Sequence, residues 1–516
     1  MLILIYHLGE HHTRPGGVLS DLPHSLSEDK RTAYFEESRH THTPVVSPIP
    51  LLPLERVGVA IRTLPDDILL EIFDFCREDN EYFTPRVWKP LVQVCQRWRH
   101  IIFAYPRRLH LLLVCNVRTP VKKLLDIWPS LPIAIHYSPR EKEGEENVIA
   151  ALKRHQRISW IVFDKLTNPV LEKLAAVMKK PLPALTGLHL QSLDEIGLVI
   201  SNAFLGGSAP RLQVFFLEGI AFPALHKVIV NANQLTKLWL QRIPDAGYID
   251  PEVMGVCLTA LPKLEELYIG FQSPLSHPLQ LHPHPPTRTA LRALTYVGFR
   301  GDSTYLEELI ARISAPNLDS LNVWFFMNLG FAIPQLYNFI TSSERLKFLK
   351  RAYMELYPWS ARITLGSSTS LDLGTSCDEL EQRVLWMAQL CSELSDILSH
   401  VECLEIKGDA DSQVELPDGM ESLQWLEVFR PFIGVQGLYV SKKMGSLVTH
   451  SLQEFTQENA TEVLPLLRSL SLGGLRPCGS VEDAMKPFVT ARQLSNRPVV
   501  VENWEQDLYQ DSEDDY

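Results

Sequence analysis

Seventeen histidines, eight cysteines and 61 acidic residues supply this 516-residue chain with raw material for metal binding or acid–base catalysis. Their spacing points elsewhere. His11, His12, His40 and His42 stand near the N-terminus with no cysteine beside them, and His282-Pro283-His284 is set among prolines that mark a loop. A metal site needs ligands held in fixed geometry, which neither set provides, so no metal and no cofactor is expected. The cysteines, at 76, 95, 115, 257, 377, 391, 403 and 478, never fall at C-x-x-C spacing. Most lie among apolar residues, where a free thiol behaves as a small hydrophobe, which suits a reducing compartment. No G-x-S-x-G elbow, H-E-x-x-H pair, P-loop or G-x-G-x-x-G turn occurs, and no catalytic residue is assigned. The expectation is a chain that is not an enzyme.

The densest information lies in residues 64–103. Pro65 suits a first helical turn, where its missing N–H costs nothing, and Asp66 and Asp67 favour the positive end of the helix dipole. Leu64, Ile68, Leu69, Ile72, Phe73 and Phe75 then follow helical spacing over a broad face. A break at 80–85 precedes a second helix from about Arg86, and a third runs through Val94, Cys95, Trp98, Ile101 and Ile102. Three short helices in about 45 residues bury too little surface to stand alone, so a partner or a supporting domain is expected.

The order Leu-Pro-Asp-Asp-Ile-Leu, then Val-Cys-x-x-Trp-Arg, then Pro106 resembles the F-box. The link at 77–90 is longer than usual for that module. With Arg107–Cys115 and the Trp-Pro-x-Leu-Pro stretch at 128–132, it resembles F-box proteins of mushroom-forming fungi. The resemblance implies docking on a Skp-family adaptor and through it on a cullin. Leu64, Pro65, Ile68, Leu69, Ile72, Phe73, Val94, Cys95, Trp98 and Ile102 match the motif's apolar positions. They would divide between an internal core and the adaptor surface, in a partition the sequence leaves open.

An apolar fraction of 45% and a charged fraction of 21% are those of a globular protein. Net charge is −12, yet residues 502–516 hold seven acids and no base, so the remainder is only mildly acidic. No basic stripe tracks a phosphate backbone, which argues against nucleic acid. Met1–Leu8 is too short for a signal core or a membrane span, and no other apolar run is long enough, so no membrane partner and a cytoplasmic or nuclear location are expected.

Downstream, one unit recurs: an apolar residue followed by others three and five positions on, a short strand entered from a loop. It appears at Ile158/Ile161/Phe163, Leu185/Leu188/Leu190, Leu212/Phe215/Leu217, Leu235/Leu238/Leu240, Leu264/Leu267/Ile269, Leu291/Leu294/Tyr296 and Leu318/Leu321/Val323, with starts 23 to 29 residues apart. A weaker unit stands at Leu346, and the pattern returns at Val401, Val435 and Leu467. Phrases such as Ala-Pro-Arg-Leu and Leu-Pro-Lys-Leu precede several units, and helical patterns lie between them. One strand and one helix per period of this length is the leucine-rich-repeat signature; a doubly wound α/β domain is the competing architecture.

The expected fold class is α/β: a small three-helix module that resembles the F-box, followed by a leucine-rich-repeat-like β-α solenoid. The expected divisions are a disordered leader (1–57), the F-box (58–108), a connecting α/β segment (109–145), the solenoid (146–495) and an acidic tail (496–516). Residues 109–114 and 131–137 read as strands with a helix at 121–128 between them. Residues 350–400 break the period and hold a long helix at about 378–400, and Ser273–Thr289 reads as an exposed loop. Outward strand positions His189, Phe216, Trp239, Tyr268 and Trp324 would line a concave face and bind an unknown target protein. With the F-box resemblance, the implied function is the substrate-recognition subunit of a Skp–cullin–F-box type ubiquitin ligase. The alternatives are a repeat scaffold that binds the adaptor without directing ubiquitination, and an unrelated α/β enzyme.

Overall fold

The recurring Pro-x-Leu phrase is a tight turn that delivers the chain into a strand. In Leu182-Pro-Ala-Leu185, Ala209-Pro-Arg-Leu212, Leu261-Pro-Lys-Leu264, Ala315-Pro-Asn-Leu318 and Leu464-Pro-Leu-Leu467, the last residue's N–H donates to the first residue's carbonyl at 3.0–3.2 Å. Proline at the second position has its φ pre-set for that turn. Both ends of each turn are buried, so the turn anchors the repeat as well as reversing it.

The computed structural model describes residues 64–75, 89–104, 111–116, 119–127, 132–138, 144–274, 288–326, 332–408, 422–454, 462–473 and 480–504. The leader, the histidines at 11, 12, 40, 42, 282 and 284, most of the 77–90 link and the acidic end beyond Trp504 lie outside the described residues, as does most of the loop expected at 273–289.

Among the described residues, sixteen strands form one sheet. They are β1 Leu111–Val114, β2 Ile133–Tyr137, β3 Ile158–Leu166, β4 Gly187–Ser192, β5 Val214–Glu218, β6 Lys237–Ile243, β7 Glu266–Phe271, β8 Tyr296–Gly301, β9 Ser320–Phe325, β10 Arg351–Tyr357, β11 Ser360–Gly366, β12 Ser370–Ser376, β13 Cys403–Gly408, β14 Gly437–Val440, β15 Ser469–Gly473 and β16 Val500–Trp504. Strands β1 to β9 lie side by side in chain order, followed by β12, β11, β10 and then β13 to β16. Every pairing is parallel except those of β11, which runs against both neighbours. This is a long parallel sheet of repeating β-α units, the leucine-rich-repeat-like solenoid.

Each strand contributes one residue to an inward row. Leu113, Ile135, Ile161, Leu188, Phe215, Leu238, Leu267, Val297, Leu321, Leu371, Leu365, Ala352, Leu404, Leu438, Leu470 and Val501 are in register across the sheet. All but the partly buried Val501 are at most 4% exposed. Helices such as Asn168–Val177, with Leu171 and Leu174 buried, and Ser303–Ile310, with Leu306 and Leu309 buried, cover this row. Parallel strands buried beneath helices need this continuous apolar surface.

The register corrects three readings. The unit assigned to Leu291/Leu294/Tyr296 is Leu294/Val297/Phe299, because Leu291 is the first residue of the entry turn and Tyr296 faces away from the core beside Glu266 and Ser320. The segment taken as a connector, 109–145, supplies β1 and β2 of the main sheet. The stretch taken as a tail from 496 supplies β16.

The period fails at 350–400 because three strands enter as an antiparallel meander. The chain leaves β9, passes over two strand positions to β10, returns through β11 and β12 to pair with β9, then crosses again to reach β13 beside β10. The expected long helix is present as Leu380–Glu393 and Ser395–Leu398, separated at Leu394.

Among the described residues, three short helices precede the sheet: α1 Asp66–Phe75, α2 Lys89–Val94 and α3 Gln96–Ala104. Leu69, Leu70, Phe73, Val92, Ile101 and Ile102 are buried, and Phe73 packs on Trp98 with ring centroids 4.6 Å apart. Arg97 Nη2 reaches Asp66 Oδ1 at 2.6 Å, tying α3 to the acidic start of α1.

Because the inward row is close-packed, Leu238→Ala, at a side chain with no exposed surface, is expected to cost about 2–5 kcal/mol. A urea denaturation midpoint measures this; a loss below about 0.5 kcal/mol would show that the row does not carry the sheet.

Candidate functional site

Alternation along a strand turns every second side chain away from the helices, so burying the inward row commits the residues between to the open face. There the register aligns His136, Val162, His189, Phe216, Trp239, Tyr268, Gly298, Asn322 and Asp372 in one central row. The four residues His189, Phe216, Trp239 and Tyr268 are consecutive members of it. Trp324 lies one row further along the strand direction, in register with Arg300 and Gly374.

These side chains form a connected aromatic row. His189 and Phe216 have centroids 4.0 Å apart, Phe216 and Trp239 6.4 Å, and Trp239 stacks on Tyr268 at 5.5 Å and on Tyr296 at 5.8 Å. The five expected contact residues are not equally available. His189 (8% exposed) and Phe216 (4%) are buried, because each is covered by its neighbours in the row; they support it rather than offer surface. Trp239, Tyr268 and Trp324 remain part-exposed. Trp160, Tyr296 and Arg300 also belong to this face and were not singled out from sequence. Extending the alternation one step toward each strand's start finds Trp160, and the shifted register at Leu291 hid Tyr296.

Glycine makes room for the rings. A β-carbon added at Gly298 would collide with Tyr268 Cδ2, one at Gly187 with Trp160 Cε3, and one at Gly374 would lie 2.6 Å from Trp324 Cε3. Each ring therefore leans onto the bare backbone of the adjacent strand, covering a position that would otherwise pack poorly. Trp324 is fixed further by its Nε1–H, which donates to Ser376 Oγ at 2.9 Å.

Several charges on this face are paired. Asp164 lies 3.1 Å from His136 Nε2 and 3.4 Å from His189 Nε2. Burial opposes ionisation of Asp164, but the His136 hydrogen bond and the nearby basic groups outweigh it and hold its carboxyl below the usual range. Burial pushes His189 down to about 4 despite Asp164 beside it. Lys237 meets Glu266 at 2.6 Å, Arg242 meets Glu218 at 3.0 Å, and Arg362 holds Asp372 through two contacts of 2.6 Å. Burial raises the Tyr268 hydroxyl and takes that of Tyr296 to about 12, so both stay neutral donors. Among the described residues, no group of three or more His, Cys, Asp or Glu side chains is arranged to hold a metal ion, and no helix is long and apolar enough to cross a membrane.

The helical module divides the remaining sequence-assigned residues. Leu69, Phe73 and Ile102 belong to its interior. Ile68 (40% exposed) and Val94 (58%) are outside, with Pro65 and Cys95 also exposed; Leu64, Ile72 and Trp98 are intermediate.

No known protein family matches this chain, and no curated protein matches it. Among solved structures it is similar to the leucine-rich repeat-containing protein LegL7 from Legionella pneumophila, with 13% identity, a TM-score of 0.27, and coverage of 76% of this chain and 99% of that one.

Two outcomes test this surface. Gly298→Ala is expected to displace the Tyr268 ring and lower stability by about 1–3 kcal/mol, seen as a reduced denaturation midpoint with altered near-ultraviolet dichroism; an unchanged spectrum would refute the leaning arrangement. The depressed pKa of His189 means that between pH 6.5 and 4 the unfolded chain takes up a proton the folded chain does not. Its contribution to stability therefore falls as pH drops through that window, by about 2 kcal/mol at pH 5. His189→Gln should flatten the acid limb of a stability-versus-pH curve, and an unchanged limb would count against a neutral buried His189.

Proposed function

We propose that this chain is the target-recognition subunit of a Skp–cullin–F-box type ubiquitin ligase. In this reading α1 to α3 dock on a Skp-family adaptor and, through it, a cullin, while the open sheet face holds the target protein. The observation that carries the first half is the exposed apolar set Pro65, Ile68, Val94 and Cys95 on a module whose interior is already filled by Leu69, Phe73, Ile101 and Ile102. Exposed apolar side chains on a small module support a partner surface when they gather into one patch. The sequence order Leu-Pro-Asp-Asp-Ile-Leu and Val-Cys-x-x-Trp-Arg, which resembles the F-box, names the kind of partner.

The second half rests on the part-exposed rings of Trp239, Tyr268 and Trp324, residue types that anchor protein interfaces. The chain itself transfers nothing and needs no cofactor. It raises the effective concentration of target lysines near the conjugating machinery, which is catalysis by proximity. A cytoplasmic or nuclear setting follows, since that is where such ligases work.

Ile68→Asp combined with Val94→Asp is expected to reduce capture of a Skp-family adaptor by about tenfold or more without changing the circular dichroism, because both side chains are exposed. Undiminished capture by the double variant would overturn the proposal. Adaptor capture without cullin recruitment would instead favour a repeat scaffold.

A further inference from the structure

We propose that the aromatic row receives an extended segment of the target protein bearing an aspartate or glutamate side chain, and that Arg300 pairs with that carboxylate. The inference deepens the receptor reading, on which it rests for the assignment of the open face to a target.

The charges on this face differ in whether they have partners. Asp164 is held by His136, Glu218 by Arg242, Glu266 by Lys237 and Asp372 by Arg362. Arg300 is exposed and makes no ion pair among the described residues. It stands where a ligand covering the row must meet it. Its neighbours in register are Gly270 on one side and Trp324 on the other. A β-carbon at Gly270 would lie 3.5 Å from Arg300 Cβ, so the glycine leaves that flank of the arginine bare apart from the edge of the Tyr268 ring. On the other flank the indole is held by Ser376 and does not swing to fill the space.

Covering this cation with apolar groups alone would strip its water without replacement, a large desolvation cost. A carboxylate replaces that water with a planar, two-point partner suited to guanidinium. Apolar or aromatic residues on either side of the acid then meet Trp239, Tyr268 and Trp324. From β3 to β9 the face spans six strand steps, roughly 29 Å at ~4.8 Å each. That is the reach of about nine extended residues, which sets the size of the segment.

The test uses the full chain and a displayed library of random peptides of about twelve residues, long enough to span the row. Selected peptides are expected to share an Asp or Glu next to an aromatic or aliphatic residue. Arg300→Glu should capture them at least about tenfold less well, and replacing the peptide's acid with Lys should restore capture by Arg300→Glu while abolishing it on the unaltered chain. Peptides lacking an acid, or acid-bearing peptides held equally by Arg300→Glu, would overturn the inference. Arg300 is exposed, so the variant is expected to fold, and an unchanged dichroism spectrum checks this. Adaptor capture by the same preparations reports separately on the receptor reading: its loss in the unaltered chain would sink that reading, whereas charge-insensitive peptide binding would sink only this one.

Discussion

Everything on the open face depends on one constraint, the register of the inward row. Among the described residues sixteen strands each place one apolar residue beneath the helices, and in the regular repeats the entry turn fixes where the strand begins. Side chains alternate with a period of two, so a slip of one residue would send the leucines outward and the aromatics into the core. The turn residue and the strand leucine are therefore coupled: burying Leu261 and Leu264 at the two ends of one turn sets the direction of Tyr268 four residues later. The open face is thus positioned by the core.

The same coupling explains why the aromatic row is ordered. Neighbouring parallel strands bring equivalent positions close together, near enough for rings to touch across the ladder. Large rings on every strand would crowd one another, and glycines at 187, 298 and 374 relieve this by giving Trp160, Tyr268 and Trp324 bare backbone to lean on. The burial of His189 and Phe216 follows from the same crowding. They hold one end of the row in place, and the part-exposed rings of Trp239, Tyr268 and Trp324 form the surface.

How much was legible in the sequence depends on where tertiary contacts decide. The strands at Leu185, Leu212, Leu264 and Leu318 were readable because the proline turn is a local signal that precedes each. The unit near Leu291 was read three residues early because leucine occupies both ends of its turn and no proline marks the second position. The meander of β10 to β12 was unreadable because its pairing is settled by strands far apart in the chain, β9 with β12 and β10 with β13. The helical module shows the same limit. Its apolar positions stood out by spacing, but their division into interior Leu69, Phe73 and Ile102 and exterior Ile68 and Val94 needs the packing of α1 on α3.

The reversed strand β11 also marks where the face changes character. From β4 to β7 the central row reads His189, Phe216, Trp239 and Tyr268; beyond β9 it reads Asp372, Thr364, Tyr353 and Glu405. These polar residues are largely satisfied from within: Arg362 spans Asp372 and Glu355, and Lys407 reaches Glu405 at 2.9 Å while lying 5.6 Å from the Tyr353 ring centroid. A surface whose charges already have partners gains little by association, since any ligand must break those pairs or leave them wet. The aromatic half differs in leaving apolar ring area part-exposed, beside an exposed cation at Arg300 that makes no ion pair among the described residues. The open face thus divides into two unequal halves where the strand topology changes.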